Sequence, residues 1–274
     1  MPLFFMAAVA NQASAAGTCV NVGQWLRPAD QTTVKHKDLI AELAERPVVL
    51  LGEVHIENEH HRWQLHTLAA LHAKNSNMVI AFESFPRSTQ PALDRWVKGD
   101  LSIKEFLKQS RWNDVWRFDP NYYLPLFHFA RQHKIPMVAM NVERSLIRAV
   151  GKKGFQGVPI EDREGVSKPA SVPEPYRKSL KAVFDLHQKI SAGSPHKPTK
   201  QSEQKTPGTP QSDKARFGRF VEVQSTWDRA MAEAIFESHK KDGSPLVVGI
   251  VGMGHLEFGY GIPHQLKDLG IHDA

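Results

Sequence analysis

The sequence predicts an α/β fold: a three-layer, mostly parallel sheet flanked by helices, with a small inserted helical lobe. Four short runs of branched apolar residues carry this reading: Val48–Leu51, Met78–Phe82, Met137–Met140 and Leu246–Val251, each bounded by polar or turn residues. Unbroken runs of this kind suit strands buried on both faces, as in a parallel sheet covered by helices. Helical patterning separates each run from the next. The balance of 41% hydrophobic against 23% charged residues over 274 positions is that of a chain with a real core, which excludes wholesale disorder.

In chain order, residues 1–19 read as an export signal or tail. Leu3 to Ala10 form an apolar run and Ala13-Ser14-Ala15 offers a small-x-small cleavage site, although no positive charge precedes the run. The expected setting is extracytoplasmic. Cys19 is the single cysteine, which excludes a disulfide framework and any CxxC site and leaves either a lipidated or an incidental thiol. No apolar run reaches the roughly 18 residues of a membrane-spanning helix.

After the first run, His61, Leu65, Leu68 and His72 fall at i, i+4, i+7 and i+11, one stripe of an amphipathic helix. Ser102 with Glu105 is a capping box that opens another helix. Tyr122–His133 and Arg219–His239 are the helices expected before the third and fourth runs. These elements define a core domain over residues 20–150 and 216–274.

Residues 151–215 differ in character. They hold 8 of the 18 prolines, and their 12 Lys and Arg against 7 Asp and Glu leave a surplus of +5, nearly all of the chain's +6. Pro175–Ile190 patterns as a helix with Leu180, Val183, Phe184 and His187 along one side. Ser191 to Ser212 is too poor in apolar residues to offset its ordering entropy. The stretch reads as an inserted helical lobe with a flexible Pro-rich loop.

Chemistry is expected where the runs end. The first is followed by Gly52-Glu53-Val54-His55 and the second by Glu83-Ser84-Phe85. The third leads to Asn141-Val142-Glu143-Arg144 and the fourth to Gly252-Met253-Gly254-His255. Ligands of open parallel sheets bind beyond the carboxyl ends of the strands, so the four ends converge on one place. Glu53 and His55 alternate along the chain and face the same way. His60 and His61 lie near a helix start, where the dipole favours a neutral imidazole. A carboxylate such as Glu83 at the end of a buried strand needs a partner or a reason. Two carboxylates and two imidazoles together can bind a divalent metal, run acid–base chemistry or hold a polar ligand.

Competing sites are weaker. His66 and His72 suit packing or surface, and Asn141, Glu143 and Arg144 suit an ion pair and a helix cap. Gly249 to Gly261 lacks the spacing of a phosphate loop, and no Gly-x-Ser-x-Gly elbow exists. The pI near 9.3 comes from a Pro-rich lobe without an aromatic–basic repeat, which argues against nucleic acid.

Several of these motifs carry a resemblance. Leu51-Gly52-Glu53-Val54-His55 with His60-His61, Phe82-Glu83-Ser84-Phe85, Phe220–Ala232, Gly252-Met253-Gly254-His255 and Gly261-Ile262-Pro263 resemble the ChaN-like haem-binding uptake family. That family belongs to a wider group with Tiki-type and erythromycin-esterase-like proteins. Ile56-Glu57 stands where many relatives carry Asp-Asn. The resemblance implies an envelope-associated haem-binding protein, acting in haem or iron uptake or storage with outer-membrane or periplasmic transport components. It further implies a homodimer, a Tyr axial ligand and a His from the other subunit. Tyr122, Tyr123, Tyr176 and Tyr260 are the only phenols; Tyr260 and Tyr176 are the candidates, with His187 on the same helical face as Tyr176. The wider group implies an alternative, a divalent-metal-dependent hydrolase of esterase or protease type. Glu53, His55, Glu83 and His255 would then be catalytic, or, joined by His61, would ligate the metal.

Overall fold

Each of the four apolar runs becomes a strand, and each strand outlasts its run. In the computed structural model they are β3 (Val48–Glu53), β4 (Met78–Pro86), β5 (Met137–Asn141) and β6 (Leu246–Gly252). A hairpin of β1 (Trp25–Arg27) and β2 (Thr32–Val34) precedes them. The structure describes residues 20–21, 23–193 and 210–273. Cys19, the expected signal or tail and most of the Pro-rich loop lie outside the described residues.

The four strands form one sheet in the order β3-β6-β4-β5, and every pairing is parallel. Alternate side chains go to opposite faces. Val49, Leu51, Ile80, Phe82, Val248 and Ile250 meet α2 (Asn58–Lys74), α3 (Gln90–Lys98), α4 (Ile103–Gln109), α5 (Trp112–Val115) and α6 (Leu124–His133) through Leu68, Leu71, Trp96, Phe106, Trp112 and Phe127. Val48, Val79, Ala81, Val247 and Val251 meet Met231, Ala232 and Ile235 of α9 (Pro210–His239) and Leu266 of α10 (Ile262–Asp268). Two covered faces make the expected three layers. Among the described residues no helix is long and apolar enough to cross a membrane.

The remaining helices are α1 (His36–Leu43), α7 (Arg144–Lys153) and α8 (Glu174–Gly193). The capping box of α4 forms: Glu105 N–H donates to Ser102 Oγ at 3.3 Å and Ser102 N–H to Glu105 Oε2 at 2.8 Å. The outer edge of β5 is closed by one side chain, since Gln90 Nε2 donates to the Met137 carbonyl at 2.7 Å and Gln90 Oε1 accepts from Ala139 N–H at 2.8 Å.

Helix α2 departs from the expected stripe. Its buried line is His61, Gln64, Thr67, Leu68 and Leu71, while Leu65 and His72 are half-buried. Two polar residues take the inner face because their hydrogen bonds are met there: Gln64 Nε2 donates to the Leu51 carbonyl and Thr67 Oγ1 to that of Trp63, each at 2.9 Å. In the lobe, α8 lays Tyr176 and Leu180 against Val221, Phe217 and Phe220 of α9. Helix α9 itself runs on through position 215, where the sequence suggests a junction.

Candidate functional site

All four strands end at one edge, and there the charged residues gather in two hydrogen-bonded groups. The first is built on Glu53, whose side chain is almost wholly buried at the end of β3. The Tyr123 hydroxyl donates to its Oε1 at 2.7 Å, and His55 Nδ1 lies 2.8 Å from the same oxygen. His61, from the first turn of α2, brings Nδ1 to 2.8 Å from Oε2. The second group centres on His255, in the turn after β6. Its Nε2 lies 3.5 Å from Glu83 Oε1, while Glu83 Oε2 accepts from Gly252 N–H at 2.6 Å. On the far side, His255 Nδ1 is 2.6 Å from Asp228 Oδ1, and Asp228 Oδ2 accepts from the Tyr176 hydroxyl at 2.9 Å.

Gly252 lets the two groups approach. A Cβ there would lie 2.9 Å from His55 Cε1 and 3.3 Å from Glu83 Oε2. The expected convergence of Glu53, His55, Glu83 and His255 is therefore met, and His55, Glu83 and His255 open into a cleft of about 610 Å³.

Burial alone pushes the Glu53 carboxyl up, yet the hydrogen bonds from His55, His61 and Tyr123 outweigh it and bring it down to about 2. His61 is pulled down by burial and lifted further by the Glu53 carboxylate, with a net rise. Burial likewise opposes the charge of His255, but the charge on Glu83 and the Asp228 contact lift it to about 10. Glu83 ends below the usual carboxylate range because the facing His255 overcomes its burial. Asp228 ends above it, burial prevailing over His255 and Tyr176.

The metal-ligand reading of Glu53, His55, His61, Glu83 and His255 finds no support in this geometry. Imidazole and carboxylate donors are turned toward each other, and among the described residues no three His, Cys, Asp or Glu side chains are placed to hold one ion. Two partners escaped the sequence reading. Asp228 had a signal, because it shares a line with Val221, Ser225, Ala232 and Ile235, and a carboxylate on a buried stripe requires a partner. Tyr123 had none, since Tyr122 stands beside it and only the fold chooses which phenol turns inward.

The weaker candidates fall into structural roles. His60 Nδ1 accepts from Val54 N–H at 2.9 Å. His66 faces His36, and His72 sits against Phe129 and His133. Asn141 Nδ2 donates to the Glu83 carbonyl at 2.9 Å. Glu143 pairs with Arg111 rather than Arg144, and its side chain does not cap α7.

The phenols divide by environment. Tyr123 and Tyr176 are buried hydrogen-bond donors, and burial together with the adjacent Glu53 or Asp228 charge pushes both phenols far up. Tyr122 stacks on His61. Tyr260 is half-buried, its ring 5.9 Å from Tyr176 on one side and 5.5 Å from Phe258 on the other. Among the described residues its hydroxyl makes no hydrogen bond, and Phe258 is 78% exposed. Helix α8 presents Val183, Leu186 and Ile190 to solvent, with His187 exposed at the edge of the Phe220 ring.

A sequence model of the family described as haem-binding uptake, Tiki superfamily, ChaN matches residues 39–266. The chain belongs to this family. The ChaN family binds haem, and its model spans both groups of strand-end residues as well as Tyr176, His187 and Tyr260. Among solved structures, ChaN of Campylobacter jejuni with cofacially bound haem aligns over 90% of this chain and 86% of its own, with a TM-score of 0.68 and 23% identity. That likeness confirms the fold. RRSP, a MARTX toxin effector domain from Vibrio vulnificus, aligns over 84% of this chain and 34% of its own, with a TM-score of 0.44 and 16% identity. A Bacillus cereus protein aligns over 87% and 74%, with a TM-score of 0.39 and 13% identity. No curated protein matches the chain.

Proposed function

We propose that this ChaN-family chain captures haem at the cell envelope during haem or iron uptake, with Tyr260 as axial ligand and His187 supplied by a second copy. The observation that carries the reading is the environment of Tyr260. Its hydroxyl has no hydrogen-bond partner among the described residues, and it lies beside the exposed Phe258. The other candidate, Tyr176, gives its proton to Asp228 and is held in the neutral form by burial and that carboxylate. A tyrosinate oxygen suits ferric haem, because an anionic oxygen donor favours Fe(III) over Fe(II). The lobe's surplus of +5 attracts propionates over the first 8–10 Å or so before salt screens it. Exchange with outer-membrane or periplasmic haem-transport components is part of the same reading.

Hemin titration tests it. The expected result is a Soret band shifted from free hemin, lost in Tyr260→Phe and retained in Tyr176→Phe. A wild-type band that survives Tyr260→Phe moves the ligand elsewhere, and a flat wild-type titration removes haem capture altogether.

A further inference from the structure

The strand-end cleft has a chemistry that haem capture does not use. None of Tyr176, His187, Phe258 and Tyr260 lines it. At about 610 Å³ it lies within the usual range of small-molecule sites, roughly 300–1,000 Å³. Its walls are the rings of Trp116, Phe118 and Trp227, which suit a flat apolar body.

The charges around it do not cancel. Glu83 is balanced by His255 and the Gly252 N–H, and the Glu53 carboxylate is held by His55, His61 and Tyr123. Glu143 is balanced by Arg111 and also accepts from Ser88. Arg144 and Arg148, one turn apart on α7, line the mouth, and neither has a carboxylate partner among the described residues. Arg144 uses one N–H on the Val115 carbonyl, at 3.0 Å, and Arg148 is exposed. Two uncompensated guanidiniums above paired charges select an anion. The nearby Glu83 and Glu143 favour a monoanion over a doubly charged phosphate ester.

A second observation points to the same ligand. Ser84, next to Glu83 on β4, lines the cleft, and its Oγ is buried without a hydrogen-bond partner. Buried hydroxyls are rarely left unpaired, so an acceptor or donor entering the cleft completes it. We propose that this cleft is a binding site for a small aromatic carboxylate, its ring between Trp116, Phe118 and Trp227 and its carboxylate on Arg144 and Arg148.

Calorimetry on the full chain with indole-3-acetate and its neutral counterpart indole-3-acetamide tests the assignment. The acid is expected to bind at least about tenfold more tightly than the amide, as for hydrogen bonds to a charged group. The double variant Arg144→Gln/Arg148→Gln should remove that preference while leaving the hemin Soret titration as in wild type, which separates this site from haem capture. Acid and amide binding equally, an acid affinity undiminished in the double variant, or no heat with either indole-3-acetate or benzoate would each overturn the proposal.

Discussion

Glu53 and His255 are held in their charged forms by residues from other elements, so the stability of the fold inherits their titrations. The carboxyl of Glu53 falls from 4.5 to about 2 on folding; its contribution is complete above pH 4.5 and is lost as the pH drops toward 2. His255 rises from 6.5 to about 10, so its contribution is complete below pH 6.5 and is lost as the pH climbs toward 10. Thermal melts across pH are therefore expected to plateau between 4.5 and 6.5 and to decline on both sides. His255→Gln should shrink the alkaline limb, while the acid limb loses only what Glu83 owes to His255 and keeps the part that Glu53 supplies; an alkaline limb of unchanged depth would sink the assignment. Glu53→Gln removes the charge and leaves one accepting oxygen where His55, His61 and Tyr123 now share two, setting an NH2 donor against a donor, and should cost about 3 kcal/mol in urea melts, as for a broken buried pair. At this scale the sequence was informative about type and place: carboxylates and imidazoles at the ends of buried strands. It was silent on partners, because which oxygen meets which nitrogen depends on elements far apart in the chain, 169 positions in the case of Gly252 and Glu83.

The strands were legible because continuous apolar runs have few alternatives, yet their polar extensions were not. Glu53 and Glu83 lie within β3 and β4, where hydropathy alone suggests that the strands have ended. The face of α2 was misjudged for a related reason: Gln64 and Thr67 count as surface residues until the carbonyls that receive their protons are in view. Gln90 shows the same economy at the sheet edge. Strand β5 is outermost, and an open edge invites pairing with other chains. By answering both the Met137 carbonyl and the Ala139 N–H, Gln90 stands in for a fifth strand over one residue pair. Gln90→Ala is expected to cost about 1–3 kcal/mol in urea melts and to raise light scattering on heating. Gln90→Glu keeps the acceptor for Ala139 but not the donor for Met137, and should fall between the two. Equal stability of Gln90→Ala and wild type would show that the edge has no need of the side chain.

For the whole molecule, the rule that parallel strands present ligands at their carboxyl ends placed the site, while strand order decided its wiring. β6 is last in the chain but enters the sheet between β3 and β4, which sets Gly252 and His255 between the Glu53 and Glu83 groups. Apolar runs identify strands without ordering them, so this interleaving could not be read in advance. The same limit applies to the second copy that haem capture calls for. The Tyr260 ring lies against that of Tyr176, and eleven helical residues, about 16 Å of α8, separate Tyr176 from His187. If His187 serves the haem of the neighbouring copy, the two defects are separable in a mixture. Alone, the Tyr260→Phe chain is expected to lose the shifted Soret band and the His187→Ala chain to show a weakened one. In a mixed dimer one site regains Tyr260 from the His187→Ala chain and His187 from the Tyr260→Phe chain, while the other site lacks both. Mixing equal amounts should thus restore part of the wild-type Soret intensity, together with a hemin-dependent shift in sedimentation from monomer to dimer. A mixture whose spectrum is only the average of its components would place both residues in the service of a single chain, and would leave the dimer without a role in binding.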